Sequence, residues 1–144
     1  PPGHHAEARR PMGFCLFNSI AIAAFYARKK HGAERVAVID FDVHHGNGTQ
    51  AMFEEDGELF FASSHQMPLY PGTGRPQERG RANNIVNVGL DPGDGGHEFR
   101  QAWDNTVLPQ LDAFSAVGRP RTCVRMNQCG ERAAYQPFGA RSAQ

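Results

Sequence analysis

The sequence is poor in cysteine, carries no surplus of charge and contains no long apolar run. Cys15, Cys123 and Cys129 are an odd, sparse set in 144 residues. That excludes a disulfide scaffold and points to a reducing compartment, the cytoplasm. Cys123 and Cys129 are too widely spaced for a CxxC metal knuckle and read as ordinary thiols. Basic and acidic residues number 15 each, so the formal net charge is zero. Strong non-specific binding to nucleic acid is therefore not indicated. No stretch approaches the roughly 20 apolar residues of a membrane span, and no signal peptide is expected. Neither a membrane nor nucleic acid is an expected direct partner; the oligomeric state is left open. The chain begins at Pro1 rather than Met, so its native start is expected upstream.

What is present is globular in character. With 40% hydrophobic residues the chain can bury a modest core, and its length suits one domain or part of one. A loop rich in Pro, Gly and charge, "PPGHHAEARRPMGF", comes first. Asn18 then offers an N-cap. Ala21, Ile22, Ala24 and Phe25 recur at helical spacing, and Gly32 stops the helix after Lys29 and Lys30. Val36 to Val43 reads as a strand apolar on both faces, Leu59 to Ser63 as a second buried strand and Ile85 to Leu90 as a third strand. Between the last two lies a long, turn-rich loop, "QMPLYPGTGRPQERGRAN". Phe99, Trp103, Val107 and Leu111 predict a further helix, kinked at Pro109. Helices alternating with short apolar strands predict an α/β fold with a mostly parallel sheet, whose sites form at the carboxyl ends of the strands.

The polar strand end is "VIDFDVHHGNG", Val38 to Gly48. If the strand continues, Asp40, Asp42 and His44 share one face. A carboxylate and an imidazole two residues apart can converge on one cation, and the pair is a usual set for zinc. The cation would offset the cost of burying charge. Asp40, one repeat further in, serves either a support behind this site or another cation. His45 points the opposite way or is structural. Gly46-Asn47-Gly48 allows a sharp turn that keeps Asn47 near the site. In "PPGHHA", His4 and His5 either sit solvated in a loop or act as acid and base in the same cleft, with Asp40 and Asn47 as orienting groups.

"PPGHHA", "GFCLFN", "VIDFDVHHGNGTQ", "FFASSHQ" and "YPGTG" occur in that order. Together they resemble the arginase-fold histone deacetylases, their class II branch, and the bacterial histone-deacetylase-like and acetylpolyamine amidohydrolases. The resemblance covers about Pro1 to Phe114. It implies a three-layer α/β domain, here incomplete, and a Zn2+-dependent removal of an acyl group from an acetylated lysine peptide or an acetylpolyamine. It further implies His5 as general base and His4 as its electrostatic partner or acid, with Asp40 behind His4 and Asn47 behind His5. Asp42 and His44 match two of three zinc ligands. Asp40, Ser63 and main chain around Asp42, His44 and Ser64 match a structural K+ site. Phe14 and Tyr70, with Gly13 beside them, match the walls of an acyl-lysine tunnel; taken alone, the two aromatics would read as core.

The sequence also departs from that family. A third ligand within an "SAGFDAH"-like motif is missing, as is the family's tyrosine after a glycine-rich motif; Tyr135 lacks the preceding glycines. Residues 1–114 carry a net −4, whereas 115–144 carry +4 from five arginines against Glu131. The expectation is a catalytic-domain portion at 1–114 and an atypical basic tail at 115–144, disordered or arising from a shifted reading frame. The chain by itself is then expected to be inactive or nearly so. Two rival functions remain: a two-metal phosphoesterase using Asp40, Asp42 and His44, or a non-catalytic remnant that binds a cation and an acyl chain.

Overall fold

The computed structural model describes residues 2–116, 122–125 and 135–137. Helix α1 spans Ser19–His31. Asn18 caps it, accepting from the Ala21 amide at 3.1 Å, and Gly32 ends it in the left-handed region at φ 65°. Arg28, Lys29, Lys30 and His31 occupy its last turn, where positive charge meets the negative end of the helix dipole. Its buried stripe is Ile20, Ala21, Ala24 and Ala27. Of the residues expected on that stripe, Ile22 faces outward, and Phe25, partly exposed, lies at its margin edge-on to Phe53 with centroids 6.0 Å apart.

Strand β1, Val36–Asp40, is wholly buried. Helix α2 is Asn47–Phe53, strand β2 is Leu59–Gln66 and strand β3 is Ile85–Leu90. Helix α3, Gly96–Ala102, runs into a π-helical turn, Trp103–Val107, and then helix α4, Leu108–Ala116. Two short strands close the described chain, β4 at Thr122–Arg125 and β5 at Tyr135–Pro137. The sheet order is β3-β2-β1-β4-β5, with β3, β2, β1 and β4 parallel and β5 antiparallel to β4. Alternation along the strands divides the core in two. Val36, Val38, Leu59, Phe61 and Ile85 pack against α1 and Phe53 of α2. Ala37, Ile39, Phe60, Ala62 and Val86 pack against Val107, with Trp103, Leu111 and Phe114 at the margin. Helices thus lie on both faces of a mostly parallel sheet, the α/β arrangement expected.

Several expectations change. β1 ends at Asp40, not Val43. The Asp42 amide donates to Asp40 Oδ1 at 3.1 Å and the His44 amide to Asp42 Oδ1 at 2.8 Å. Two successive Asx turns therefore pull the chain off the ladder. β2 runs through Ser63 to Gln66, further than its apolar part. α2 begins where only a sharp turn was expected. The helix expected from Phe99 to Leu111 is widened before Pro109: the Leu108 amide bonds the Trp103 carbonyl five residues back. A π turn relieves the crowding between a proline ring and the carbonyl four residues earlier. Within the tail, β4 pairs with β1 although the sequence there shows no alternation. Cys129, and the rest of the basic tail beyond the end of α4 and apart from β4 and β5, lie outside the described residues.

Candidate active site

The loop bearing His4 and His5 is fixed to α2 through backbone. The His4 carbonyl accepts from the amides of Gly48 at 2.8 Å and Thr49 at 3.2 Å. Gly48 is required there, because a Cβ would overlap the carbonyls of Ala6 and His5. Gly13, at φ 58°, lies so close to the His5 ring that a Cβ would run into it. Asn18 adds a third tie, donating to the Ala6 carbonyl at 3.2 Å and to Thr49 Oγ1 at 3.1 Å.

Both rings are buried, with centroids 4.0 Å apart. His4 Nδ1 lies 2.7 Å from Asp40 Oδ2. A carboxylate only accepts, so this nitrogen carries the hydrogen. His4 Nε2 is then a buried atom without a hydrogen-bond partner, 4.0 Å from Asp42 Oδ1. His5 Nδ1 meets Asn47 Oδ1 at 2.9 Å. Burial first, and then the neighbouring His4, hold the His5 pKa below its ordinary value; the Asn47 bond opposes them.

Asp42 and His44 lie in the turns after β1, so they approach each other through Asx-turn geometry rather than strand alternation. His44 Nδ1 is 3.2 Å from Asp42 Oδ1. Two donors on one tetrahedral zinc, each bonded at about 2.0–2.2 Å, lie about 3.3–3.5 Å apart. The pair therefore fits two corners of such a site, and the unpartnered His4 Nε2 stands beside it. Among the described residues no group of three or more His, Cys, Asp or Glu side chains gathers as a metal cluster. Ser63 faces Asp40 across the β1–β2 ladder, and both are buried. His65 Nε2 donates to the Gly74 carbonyl at 3.0 Å, so its Nδ1 must accept from the Ser63 hydroxyl, also at 3.0 Å. That leaves the Ser63 oxygen lone pairs, next to a carboxylate, suited to a hard cation.

Tyr70 packs edge-on against His5, centroids 5.0 Å apart, and against His44 at 6.3 Å. Phe14 stands 97% exposed at φ 60°. Neither aromatic belongs to the core.

The sequence did not disclose how the Tyr70 loop is held. Gln50 Nε2 donates to Glu78 Oε2 at 2.7 Å, and Gln50 Oε1 accepts from His45 Nε2 at 2.9 Å and from Asn87 Nδ2 at 2.7 Å. Thr73 Oγ1 reaches His45 Nδ1 at 2.8 Å, and the Gly74 amide donates to Glu78 Oε2 at 3.1 Å. Burial, and then His65, push the His45 pKa down to about 4, so this ring is a neutral structural member. Glu7 and Met12 also touch the site, through Asn47. These partners lie far apart in the chain, and no local pattern marks them.

The histone deacetylase domain model matches residues 1–123, nine residues beyond the expected limit at Phe114. The chain is 49% identical over 117 residues to histone deacetylase 10, chloroplastic, of Oryza sativa subsp. japonica, covering 79% of this chain and 26% of that protein. It is 44% identical over 119 residues to the histone deacetylase-like amidohydrolase of Pseudomonas aeruginosa, covering 79% and 31% respectively. The chain thus spans roughly a third or less of the length of these curated relatives. Its fold is similar to that of the acetylpolyamine aminohydrolase from Burkholderia pseudomallei, with a TM-score of 0.74 and 36% identity over 80% of this chain and 34% of the other.

Proposed function

The chain belongs to the histone deacetylase family, and from that premise we propose that the whole protein is a zinc-dependent amidohydrolase releasing an acetyl or other acyl group from an acetylated lysine or an acetylpolyamine. One observation carries this reading: two buried imidazoles lie side by side, each tied through Nδ1 to an oxygen of Asp40 or Asn47. That arrangement leaves both Nε2 atoms free for proton chemistry.

His5, held neutral by its low pKa, takes a proton from the attacking water at Nε2. The amine leaves with the proton that His5 took from water, and His4, backed by the Asp40 carboxylate, is the electrostatic partner or the acid through which that proton passes. Asp40 and Asn47 act as positioning residues. Tyr70, against His5, and the exposed Phe14 form two apolar faces for an aliphatic amine stem, and Gly13 keeps the approach to His5 narrow. A zinc ion held by Asp42 and His44 would supply a Lewis acid that polarises the amide carbonyl and lowers the pKa of water. Asp40 and Ser63 would hold a structural potassium ion. Three scattered thiols support a cytoplasmic location.

For the 144-residue chain alone, the two protein donors found among the described residues would leave such a zinc short of the three usual at catalytic sites. We therefore assign it weak cation and acyl-chain binding with little or no turnover. The two-metal phosphoesterase alternative lacks bridging acids among the described residues. The test is acetate release from an acetyl-lysine peptide and from an N-acetylated polyamine by the longest form of the protein. Zinc-dependent release that falls roughly 10²–10⁴-fold in His5→Ala supports the proposal. Turnover indifferent to zinc or to His5 would sink it, and efficient turnover by the 144-residue chain would overturn the assignment made for that chain.

A further inference from the structure

The geometry points to Glu7 as the positioning residue that decides which nitrogen of His5 carries the hydrogen, acting through the amide of Asn47. Asn47 is buried and its side chain lies between two sets of neighbours. On one side is His5 Nδ1, 2.9 Å from Asn47 Oδ1. On the other, Asn47 Nδ2 meets three groups that can only accept. They are Glu7 Oε1 at 3.3 Å, Met12 Sδ at 3.3 Å and the His5 carbonyl at 3.4 Å.

A primary amide has one donating end and one accepting end. With its NH2 toward those three acceptors, its two hydrogens are shared among the three contacts. Flipped, its carbonyl oxygen would face a carboxylate, a thioether and another carbonyl with no hydrogen between them. Of the three, Glu7 bears the charge, and hydrogen bonds to a charged partner are the stronger kind. Arg10 holds the arrangement from outside, donating to Glu7 Oε1 at 3.3 Å and to Met12 Sδ at 3.1 Å. Once the amide is fixed, its oxygen must face His5 Nδ1, so Nδ1 carries the hydrogen. In the neutral ring Nε2 is then the bare lone pair.

The same logic appears a second time in this fold. Glu78 accepts from the Gln50 amide nitrogen, and the Gln50 oxygen accepts from His45 Nε2. There the acid fixes the amide and the amide fixes the ring, but the hydrogen falls on Nε2. Two acid–amide–imidazole chains thus set opposite tautomers, which gives His5 an internal reference in the same molecule.

The inference rests on the proposed function only for its consequence, a base at His5 Nε2; the tautomer itself can be measured without any turnover. The experiment is long-range 1H–15N correlation of the imidazoles in the metal-free 144-residue chain at about pH 8, where histidine is neutral. The unsubstituted chain is expected to show His5 hydrogenated at Nδ1 and His45 at Nε2. Glu7→Ala is expected to move the His5 tautomer ratio about tenfold toward Nε2–H, the scale of one charge-assisted hydrogen bond. Adding Asn47→Asp to that variant makes residue 47 acceptor-only on both sides and should restore Nδ1–H. A purely structural role for Glu7 would not be reversed in this way.

His5 found as Nε2–H in the unsubstituted chain overturns the inference even if a variant fails to fold. So does an unchanged ratio in Glu7→Ala, or a double variant that stays mixed. Absent deacetylation with these tautomer shifts intact would instead remove the proposed function and leave the assignment of Glu7 standing.

Discussion

Replacing Gln50 with leucine would test how the Tyr70 loop is held. Gln50 is a buried hub with three partners: it donates to Glu78 and accepts from His45 and Asn87. Leucine matches its bulk and none of its polarity. The buried His45 Nε2–H would lose its acceptor, and Asn87 Nδ2 would keep only its longer bond to the Glu78 carbonyl at 3.4 Å. A buried donor left unsatisfied costs about 1–3 kcal/mol, and that is the expected destabilisation. That is a large share of a typical stability of about 5–15 kcal/mol. Urea unfolding would read it as a lower midpoint with little change in slope. Glu78 would lose one of its two ties to α2 and to Gly74, so the loop should also open locally. Trypsin at Arg79 and Arg81, both exposed, would then cut faster under native conditions. A Gln50→Leu chain as stable and as slowly cut as the original would show that the hub contributes nothing net and that the loop is held otherwise.

Gly48→Ala should cost about 1–3 kcal/mol by overpacking, because the new methyl meets backbone that cannot swing aside; thermal unfolding would show a lower midpoint, and an unchanged one would contradict the contact. Asn84 gives its amide hydrogens to the carbonyls of Phe53 at 2.8 Å and Leu59 at 2.7 Å. Asn84→Asp, which aims a carboxylate at those oxygens, should therefore destabilise more than Asn84→Ala in the same urea assay. Titration calorimetry with zinc should show affinity falling at least about tenfold in Asp42→Ala and in His44→Ala, the lower range for loss of even an indirect metal contact. Equal zinc affinity in all three chains would detach these residues from metal binding.

The parts legible in the sequence share a physical basis. β1 and the first half of β2 are continuous apolar runs buried on both faces, and such runs announce themselves; β3 is buried only over Ile85 to Asn87. α1 carries its own cap and stop in Asn18 and Gly32. α2 was hidden because "NGTQAMF" is short and contains glycine and threonine, both poor helix formers. Its first turn is stabilised by a carbonyl more than forty residues earlier in the chain. The close approach of Asp42 to His44 was legible as a spacing, but its cause was misread. Each aspartate bonds a backbone amide two residues on, and this local competition ends the strand early. Gln50, Glu78 and Glu7 bear no local signature at all. The Gln50–Glu78 and Asn47–Glu7 bonds span 28 and 40 residues, and only the folded chain shows that an acid stands behind each amide.

The bond between the His4 carbonyl and the first amides of α2 has a mechanical consequence. His4, His5 and Asn47 ride on one unit, the helix with its docked loop, whereas Asp40 is anchored in the sheet. A small slide of α2 over the sheet would carry His5 and Asn47 together and leave their bond intact. The same slide would stretch His4 away from Asp40. The two imidazoles look equivalent at rest, yet under strain the His4 pair is the seam that opens first, and the His5 pair travels as cargo.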